Sequence, residues 1–173
     1  KLTYSVSLDG SSKAFSIADH ADFKPTGSFV VGGWIKTGSA TSRRIVFSSW
    51  STGSGSAYYG GIVLQVDDSH HLDLLSGRAT GTTQGTDFQR TTGTTVIDDG
   101  NWHFVVGTWD GSYLKLYLDG VLESSTAWSY SPGYNTTNYV RVGNIQWGAS
   151  SLYFFPGNLK NIFLYNGVVI TQP

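Results

Sequence analysis

Short runs of alternating apolar and polar residues, separated by Gly, Ser, Asn or Asp, fill this chain. In the segment WHFVVGTWDGSYLKLYLDG, residues 102–120, apolar side chains alternate on both sides of an Asp-Gly-Ser break at 110–112. Alternation with a period of two is typical of β-strands, and an Asp-Gly pair favours a tight turn. The segment therefore predicts a β-hairpin, followed by a second turn at residues 119–120.

The rest of the chain has the same organisation. Further strands are predicted at 4–8, 14–17, 29–36, 44–48, 61–67, 71–75, 139–143 and 157–165. The hairpin at 61–75 should place one set of side chains inward (Leu64, Val66, Leu72, Leu74) and another outward (Gln65, Asp67, His71, Asp73). The polar segment 77–95 is about as long as a strand with its two loops. Many short strands at this spacing predict an all-β, two-sheet antiparallel β-sandwich.

Composition supports this fold class. The chain has 22 Gly, 14% aromatic residues and only 13% charged residues, and Glu123 is its one glutamate. Such a composition favours strands and turns, so we expect under about a tenth of the residues to be helical. The 173 residues suit a single domain, 1–173. There is no signal peptide and no Met, which we interpret as a domain excised from a larger exported protein.

Net charge and hydropathy limit the classes of binding partner that we expect. The formal net charge is −1, which does not favour nucleic acid. No apolar run approaches the roughly 20 residues that span a bilayer, so we expect no membrane insertion.

Three segments in order resemble the laminin-G-like, concanavalin-A-like lectin jelly-roll superfamily, in its bacterial and viral branch of laminin-G-like and pentraxin-like domains. They are VSLDGSSKAFSIADHADFKPTGSFVVGGWIKT, DDGNWHFVVGTWDGSYLKLYLDGVL and FPGNLKNIFLYNGVVIT. The resemblance covers residues 4–170 and implies one concave and one convex sheet, stacked face to face. It also implies that Trp34, Trp102 and Trp109 belong to the core.

The chain lacks the residues of a catalytic centre. Jelly-roll enzymes that cleave polysaccharides carry two or three carboxylates on one strand, commonly as Glu-x-Asp-x-Glu. Glu123 has no such partner, and the best substitute is the pair Asp67 and Asp73 on the outward face of the predicted hairpin. We interpret that pair as solvated, and we expect no enzyme. In the cluster DDSHHLD at 67–73, adjacent His70 and His71 would point to opposite faces of a strand, so they cannot chelate a metal together without a turn. An adventitious Zn or Ni site remains open there.

The resemblance makes calcium a candidate ligand, because many relatives bind it. Some relatives bind it with an acidic pair in the closing strand, where this chain reads Lys160-Asn161. An ammonium group beside a calcium ion is repulsive, since calcium takes oxygen ligands. Asp9, Asp19, Asp22 and Asn161 remain as candidate ligands. We expect no required cofactor and leave calcium open.

Loop aromatics are the remaining candidates for ligand binding. Exposed Trp and Tyr rings stack on the apolar faces of sugars, with polar neighbours for the hydroxyl groups. The aromatic residues in question occupy three loops: Trp50, Tyr58 and Tyr59; Trp128, Tyr130 and Tyr134; and Trp147, Tyr153 and Phe154. The alternative is that each loop packs its own rings against the sheet. We expect at least one exposed aromatic platform.

The sequence thus favours a non-catalytic, lectin-like module that binds a glycan or polysaccharide. It would belong to a larger secreted, cell-surface or virion-surface protein, with cell adhesion as one context. The alternative is a protein-binding adhesion or assembly domain without affinity for glycans, with a surface protein as its partner. A divergent polysaccharide hydrolase or lyase is a distant third.

Overall fold

The protein is a sandwich of two antiparallel β-sheets. The computed structural model describes residues 4–52, 59–134, 139–147 and 150–170. Its strands are β1 (Val6–Asp9), β2 (Phe15–Ile17), β3 (Phe29–Lys36), β4 (Arg44–Ser48), β5 (Ser51–Thr52), β6 (Tyr59–Val66), β7 (His71–Arg78), β8 (Phe88–Val96), β9 (Trp102–Trp109), β10 (Tyr113–Leu118), β11 (Val121–Ala127), β12 (Val140–Val142), β13 (Ile145–Trp147), β14 (Ser150–Leu152) and β15 (Pro156–Asn166). The helical segment among the described residues is the short 3₁₀ turn Ala21–Phe23.

Non-consecutive strands lie side by side in both sheets. The six-stranded sheet has the order β1-β15-β3-β9-β10-β11, and the seven-stranded sheet has β2-β12-β4-β6-β7-β8 with β5 beside β6. Strands β13 and β14 form a separate small hairpin. The all-β sandwich predicted from the sequence is confirmed, including β8, which lies within the polar segment 77–95. No helix among the described residues is long and apolar enough to span a membrane.

The core lies between the two sheets. Inward residues of β6 and β7 pack there against inward residues of β9 and β10: Ile62, Leu64, Leu72, Leu74, Val105, Trp109, Leu114 and Leu116. Gly107 faces Leu74 across this space, and a Cβ at Gly107 would lie 2.8 Å from Leu74 Cδ1. Glycine there lets the two sheets approach closely.

Two of the three tryptophans that the resemblance assigned to the core are not in it. Trp109 is buried, but Trp34 and Trp102 retain 39% and 37% of their surface in solvent. In β3 and β9 the inward positions are those of Ile35, Val105 and Trp109. Since side chains alternate along a strand, Trp34 and Trp102 must point outward. The expectation of a core position was wrong for both.

Candidate functional site: a groove on the outer face of the seven-stranded sheet

The loop after β11 does not present Trp128 to a ligand. Trp128 is only 3% exposed and belongs to the main core. Its backbone amide donates to Ser112 O at 2.8 Å, and its carbonyl accepts from Trp109 Nε1 at 2.7 Å. The loop is thereby drawn onto the end of the β9–β10 hairpin. The prediction of an exposed stacking face at Trp128 was wrong, because the chain folds inward directly after β11.

The two tyrosines of this loop differ. The Tyr134 hydroxyl donates to Pro25 O at 3.2 Å, and burial raises the pKa of Tyr134 above its usual value. Tyr134 is therefore buried in the fold and does not offer an exposed ring to a ligand. Tyr130 is 42% exposed, with the Arg78 guanidinium 4.0 Å from its ring centroid. Tyr130 therefore keeps an accessible ring, as does Tyr139 directly before β12, which is 51% exposed.

Three of the predicted residues have no described side chain. Tyr58 lies outside the described residues. For Tyr59 and Trp147 the structure describes the backbone, in β6 and β13. Their role as ligand contacts stays a prediction.

Trp50 lies at a concave site on the outer face of the seven-stranded sheet. It is 5% exposed, so it offers no open platform, and its indole meets Phe88 edge-on with centroids 6.3 Å apart. It belongs to a small apolar cluster separate from the main core, with Ile45, Val63, Leu75, Phe88 and Ile145. This cluster covers the outer face of β4, β6, β7 and β8 and forms one side of a groove.

The groove has a volume of about 230 Å³. Besides the apolar cluster, its lining residues are Arg43, Gln65, Gln84, Arg90 and Tyr153. Tyr153 is 39% exposed and has a positive φ of 56°. Its carbonyl accepts from the Ile45 amide at 3.1 Å, which fixes the end of the β13–β14 hairpin against β4. An apolar pocket edged by an aromatic ring and a few polar groups is typical of small-molecule and sugar sites.

A buried carboxylate organises the polar end of the groove. Asp73 has no exposed surface and accepts from Gln65 Nε2 at 2.8 Å, Thr92 Oγ1 at 2.9 Å and Arg90 Nη2 at 2.7 Å. Desolvation raises the pKa of Asp73, although Arg90 and these hydrogen bonds oppose the rise. The network holds Gln65 and Arg90 in fixed positions at the groove wall.

Asp67 and Asp73, the pair that came nearest to a catalytic arrangement in the sequence, have structural roles. Asp67 and Asp73 share the outward face of the β6–β7 hairpin, as expected. The interpretation of the pair as solvated was wrong, because Asp73 is fully buried and Asp67 is only 8% exposed. Asp67 Oδ1 accepts from the amides of Ser69 and His71, at 2.9 Å each, and so caps the turn. Among the described residues that line the groove there is no carboxylate.

Calcium ligands are not gathered in one place. Asp9 Oδ1 accepts from the amides of Ser11, Ser12 and Lys13, and these bonds, with one from the Ser12 hydroxyl, hold the pKa of Asp9 far below its usual value. Asp19 pairs with Lys24, and Asp22 lies beside His20. Asn161 lies in a bulge of β15 next to Lys160. Within the described ranges, no three acidic or histidine side chains converge as a metal site.

Comparison with known families shows which superfamily this chain belongs to. The family model described as "Concanavalin A-like lectin/glucanases superfamily", a laminin-G family, matches residues 9–172. The chain belongs to this superfamily. A search of curated protein sequences finds no match.

Solved structures of this superfamily's fold are similar over most of the chain. The carbohydrate-binding module CBM40 of the Ruminococcus gnavus IT-sialidase has 13% identity and a TM-score of 0.72, over 94% of this chain and 91% of that one. The same module has been solved bound to α2,3- and α2,6-sialyllactose. Domains LG4-5 of the mouse laminin α1 chain have 16% identity and a TM-score of 0.64, over 91% of this chain. The chain spans 40% of that laminin fragment.

A pentraxin from Limulus polyphemus has 15% identity and a TM-score of 0.62, over 92% of this chain and 74% of that one. At these identities the similarity to all three structures concerns the fold.

Proposed function

We propose that this superfamily member is a non-catalytic carbohydrate-binding domain, with its glycan site in the groove on the outer face of the seven-stranded sheet. The observation that carries the proposal is the composition of that groove. An apolar floor, of which Leu75 and Phe88 remain partly exposed, lies beside the exposed ring of Tyr153. Arg43, Gln84 and Arg90 provide hydrogen-bond donors at its walls.

The groove suits one terminal sugar better than a long chain. Its volume is below the roughly 300–1,000 Å³ of sites for drug-sized ligands. A sugar presents an apolar C–H face and a rim of hydroxyl groups. In this arrangement the apolar face lies on the floor and against Tyr153, while Arg43 and Gln84 donate to hydroxyl oxygens. The sialyllactose complexes of the similar CBM40 module support binding of a short glycan by this fold.

Glycan binding without cleavage follows from the carboxylates. Cleavage by a retaining or inverting mechanism needs an acid and a second carboxylate on either side of the scissile bond. Asp73 is fully buried, and Asp67 caps a turn. We place the domain outside the cell, where glycans are displayed.

The experiment is a glycan-array screen, followed by calorimetric titration of the best glycan. Tyr153→Ala removes a stacking ring, and Arg43→Gln removes a donor at the rim. We expect each variant to weaken binding about two- to ten-fold, as for the loss of one aromatic or polar contact. Tyr113→Ala is the matched control, since Tyr113 is a similarly exposed tyrosine on the opposite sheet. It should bind like the wild type.

A glycan that binds equally well to all three variants would show that the groove is not its site. Failure of the folded domain to bind any glycan on the array would favour the protein-binding adhesion or assembly domain instead.

A further inference from the structure

The outer face of the six-stranded sheet carries a row of aromatic rings. The centroids of Trp34 and Phe104 lie 5.3 Å apart, those of Phe104 and Phe163 6.3 Å, and those of Phe163 and Tyr165 5.2 Å. The row crosses β9, β3 and β15 and lies on the side of the sandwich opposite the groove. Trp102, two residues before Phe104 on β9, extends the aromatic surface at one end.

At that end the row opens into a cleft. Trp34, Trp102 and Lys160 line a space of about 230 Å³. The strand register explains the arrangement: Lys160 of β15 lies opposite Trp34 of β3, and Lys36 of β3 lies opposite Trp102 of β9. Since neighbours across an antiparallel pair point to the same face, two indoles and two ammonium groups share one corner of the sheet.

The corner is cationic. Ion pairs of lysine within the described parts of the chain join Lys24 to Asp19 and Lys115 to Asp110, so neither Lys36 nor Lys160 has a described carboxylate within 4.0 Å. Asp99 and Asp119, which flank β9 and β10, both bond the imidazole of His103. Lys36 is exposed and Lys160 is half-buried, so both positive charges lie on the same corner of the sheet as the two indoles.

We propose that this corner, defined by Trp34, Lys36, Trp102 and Lys160, is a second binding site that takes a carboxylate-bearing glycan. The apolar face of a uronate ring stacks on the indoles, and its carboxylate pairs with an ammonium group. The row Phe104–Phe163–Tyr165 continues the surface for further rings of an extended chain. The site is independent of the groove, because the two lie on opposite sheets.

Titration calorimetry tests the proposal with uronate oligosaccharides from pectin, alginate and hyaluronan. Fully methyl-esterified oligogalacturonate is the matched ligand control, since it keeps the rings and loses the charge. We expect at least one charged oligosaccharide to bind, the methyl ester to bind more weakly, and affinity to fall between about 50 and 500 mM NaCl as ion pairs are screened.

Variants locate the site. We expect Lys160→Gln to weaken binding of the charged oligosaccharide about two- to five-fold and Trp102→Ala about two- to ten-fold, in line with exposed ion pairs and aromatic contacts. Lys13→Gln makes the same charge change in the loop between β1 and β2 and should bind like the wild type. The groove variant Tyr153→Ala should also leave this binding unchanged, which separates this site from the proposed function.

Binding to none of the charged oligosaccharides overturns the proposal. So does uronate binding that Lys160→Gln leaves intact and Tyr153→Ala weakens, because it then belongs to the groove. Binding of poly-glutamate with no binding of any uronate assigns the corner to an acidic protein and equally overturns it. Circular dichroism melts of every variant establish that each is folded at the titration temperature.

Discussion

Glu123 joins the edge strands of the two sheets. Its carboxylate accepts from the amides of Thr94 and Thr95, at 2.9 and 3.0 Å, and from both threonine hydroxyls. Glu123 lies on β11 of one sheet, and the threonines lie on β8 of the other. The one glutamate in the chain is thus a structural acceptor.

We expect Glu123→Gln to lower the free energy of unfolding by about 1–2 kcal/mol at neutral pH, because an amide has one acceptor oxygen and charged hydrogen bonds are the stronger ones. Burial opposes ionisation, but the four bonds outweigh it and lower the pKa of Glu123. A lowered folded-state pKa stabilises above the unfolded-state value of 4.5 and loses that effect as the pH falls through the folded value.

Urea unfolding at pH 7 and at about pH 3 measures this. The difference between wild type and Glu123→Gln should shrink at the lower pH. Asp22→Asn, which removes an exposed carboxylate, is the control and should change stability little. An equal difference at both pH values would contradict a role for the charge.

Trp128 and Tyr130 are two residues apart and should behave differently. Trp128 is in the core, so Trp128→Ala should cost roughly 3–5 kcal/mol of folding free energy. Tyr130 is exposed and contacts Arg78 through its ring, so Tyr130→Ala should cost about 1 kcal/mol or less. Denaturant midpoints of the two variants check this. A Trp128→Ala domain as stable as the wild type would show that the loop does not pack inward.

At the scale of single strands, the alternation of side chains between the two faces of a strand allows the inward and outward residues to be predicted from the sequence. Trp102 and Trp109 are seven positions apart in β9, so a regular strand must place them on opposite faces. The resemblance assigned both tryptophans to the core. Their odd spacing along one strand already excluded a core position for both. The hairpin at 61–75 had no such conflict, and its two faces were predicted correctly.

The sequence indicates the groove only weakly, through two continuous apolar runs. Residues 45–47 and 62–64 are continuous apolar runs, and such runs indicate strands that are covered on both faces. That pattern could have pointed to Ile45 and Val63 as outward apolar residues. Their partners are distant in the chain: Phe88 begins β8, and Tyr153 directly follows β14. Contact between such distant residues depends on the strand order, which alternation does not encode. Fold and faces were thus predictable. Trp50 and Tyr153 of the groove were among the predicted loop aromatics, but their assembly with the outer face of the sheet was not predicted.

A buried ion pair joins β7 to β8. Arg90 donates to both oxygens of Asp73, at 3.2 and 2.7 Å. We expect Arg90→Gln to lower the unfolding free energy by about 3–5 kcal/mol, since it leaves a buried carboxylate without its cation. The double variant Arg90→Gln/Asp73→Asn should recover part of the loss, and thermal unfolding of the three proteins measures the coupling. Strictly additive losses would contradict the pairing.

At the scale of the whole molecule, the sandwich separates its two proposed ligand surfaces. The groove lies outside the seven-stranded sheet, and the aromatic corner lies outside the six-stranded sheet. Each surface consists of outward positions on strands whose inward positions form the core. A change of outward residues can therefore alter binding on one side while the packing between the sheets and the other surface stay intact.

The effect of calcium is also a property of the whole fold. A cation that binds only the folded state at 100 times its Kd adds roughly 2.7 kcal/mol, which is a rise of several degrees in Tm for a domain of this size. We expect a much smaller rise on going from EDTA to millimolar calcium, because Asp9 is occupied by amide donors and Lys160 adjoins Asn161. Scanning calorimetry measures it, with magnesium at equal ionic strength as the control. A rise of several degrees with calcium but not with magnesium would show that oxygen ligands do assemble in the folded chain.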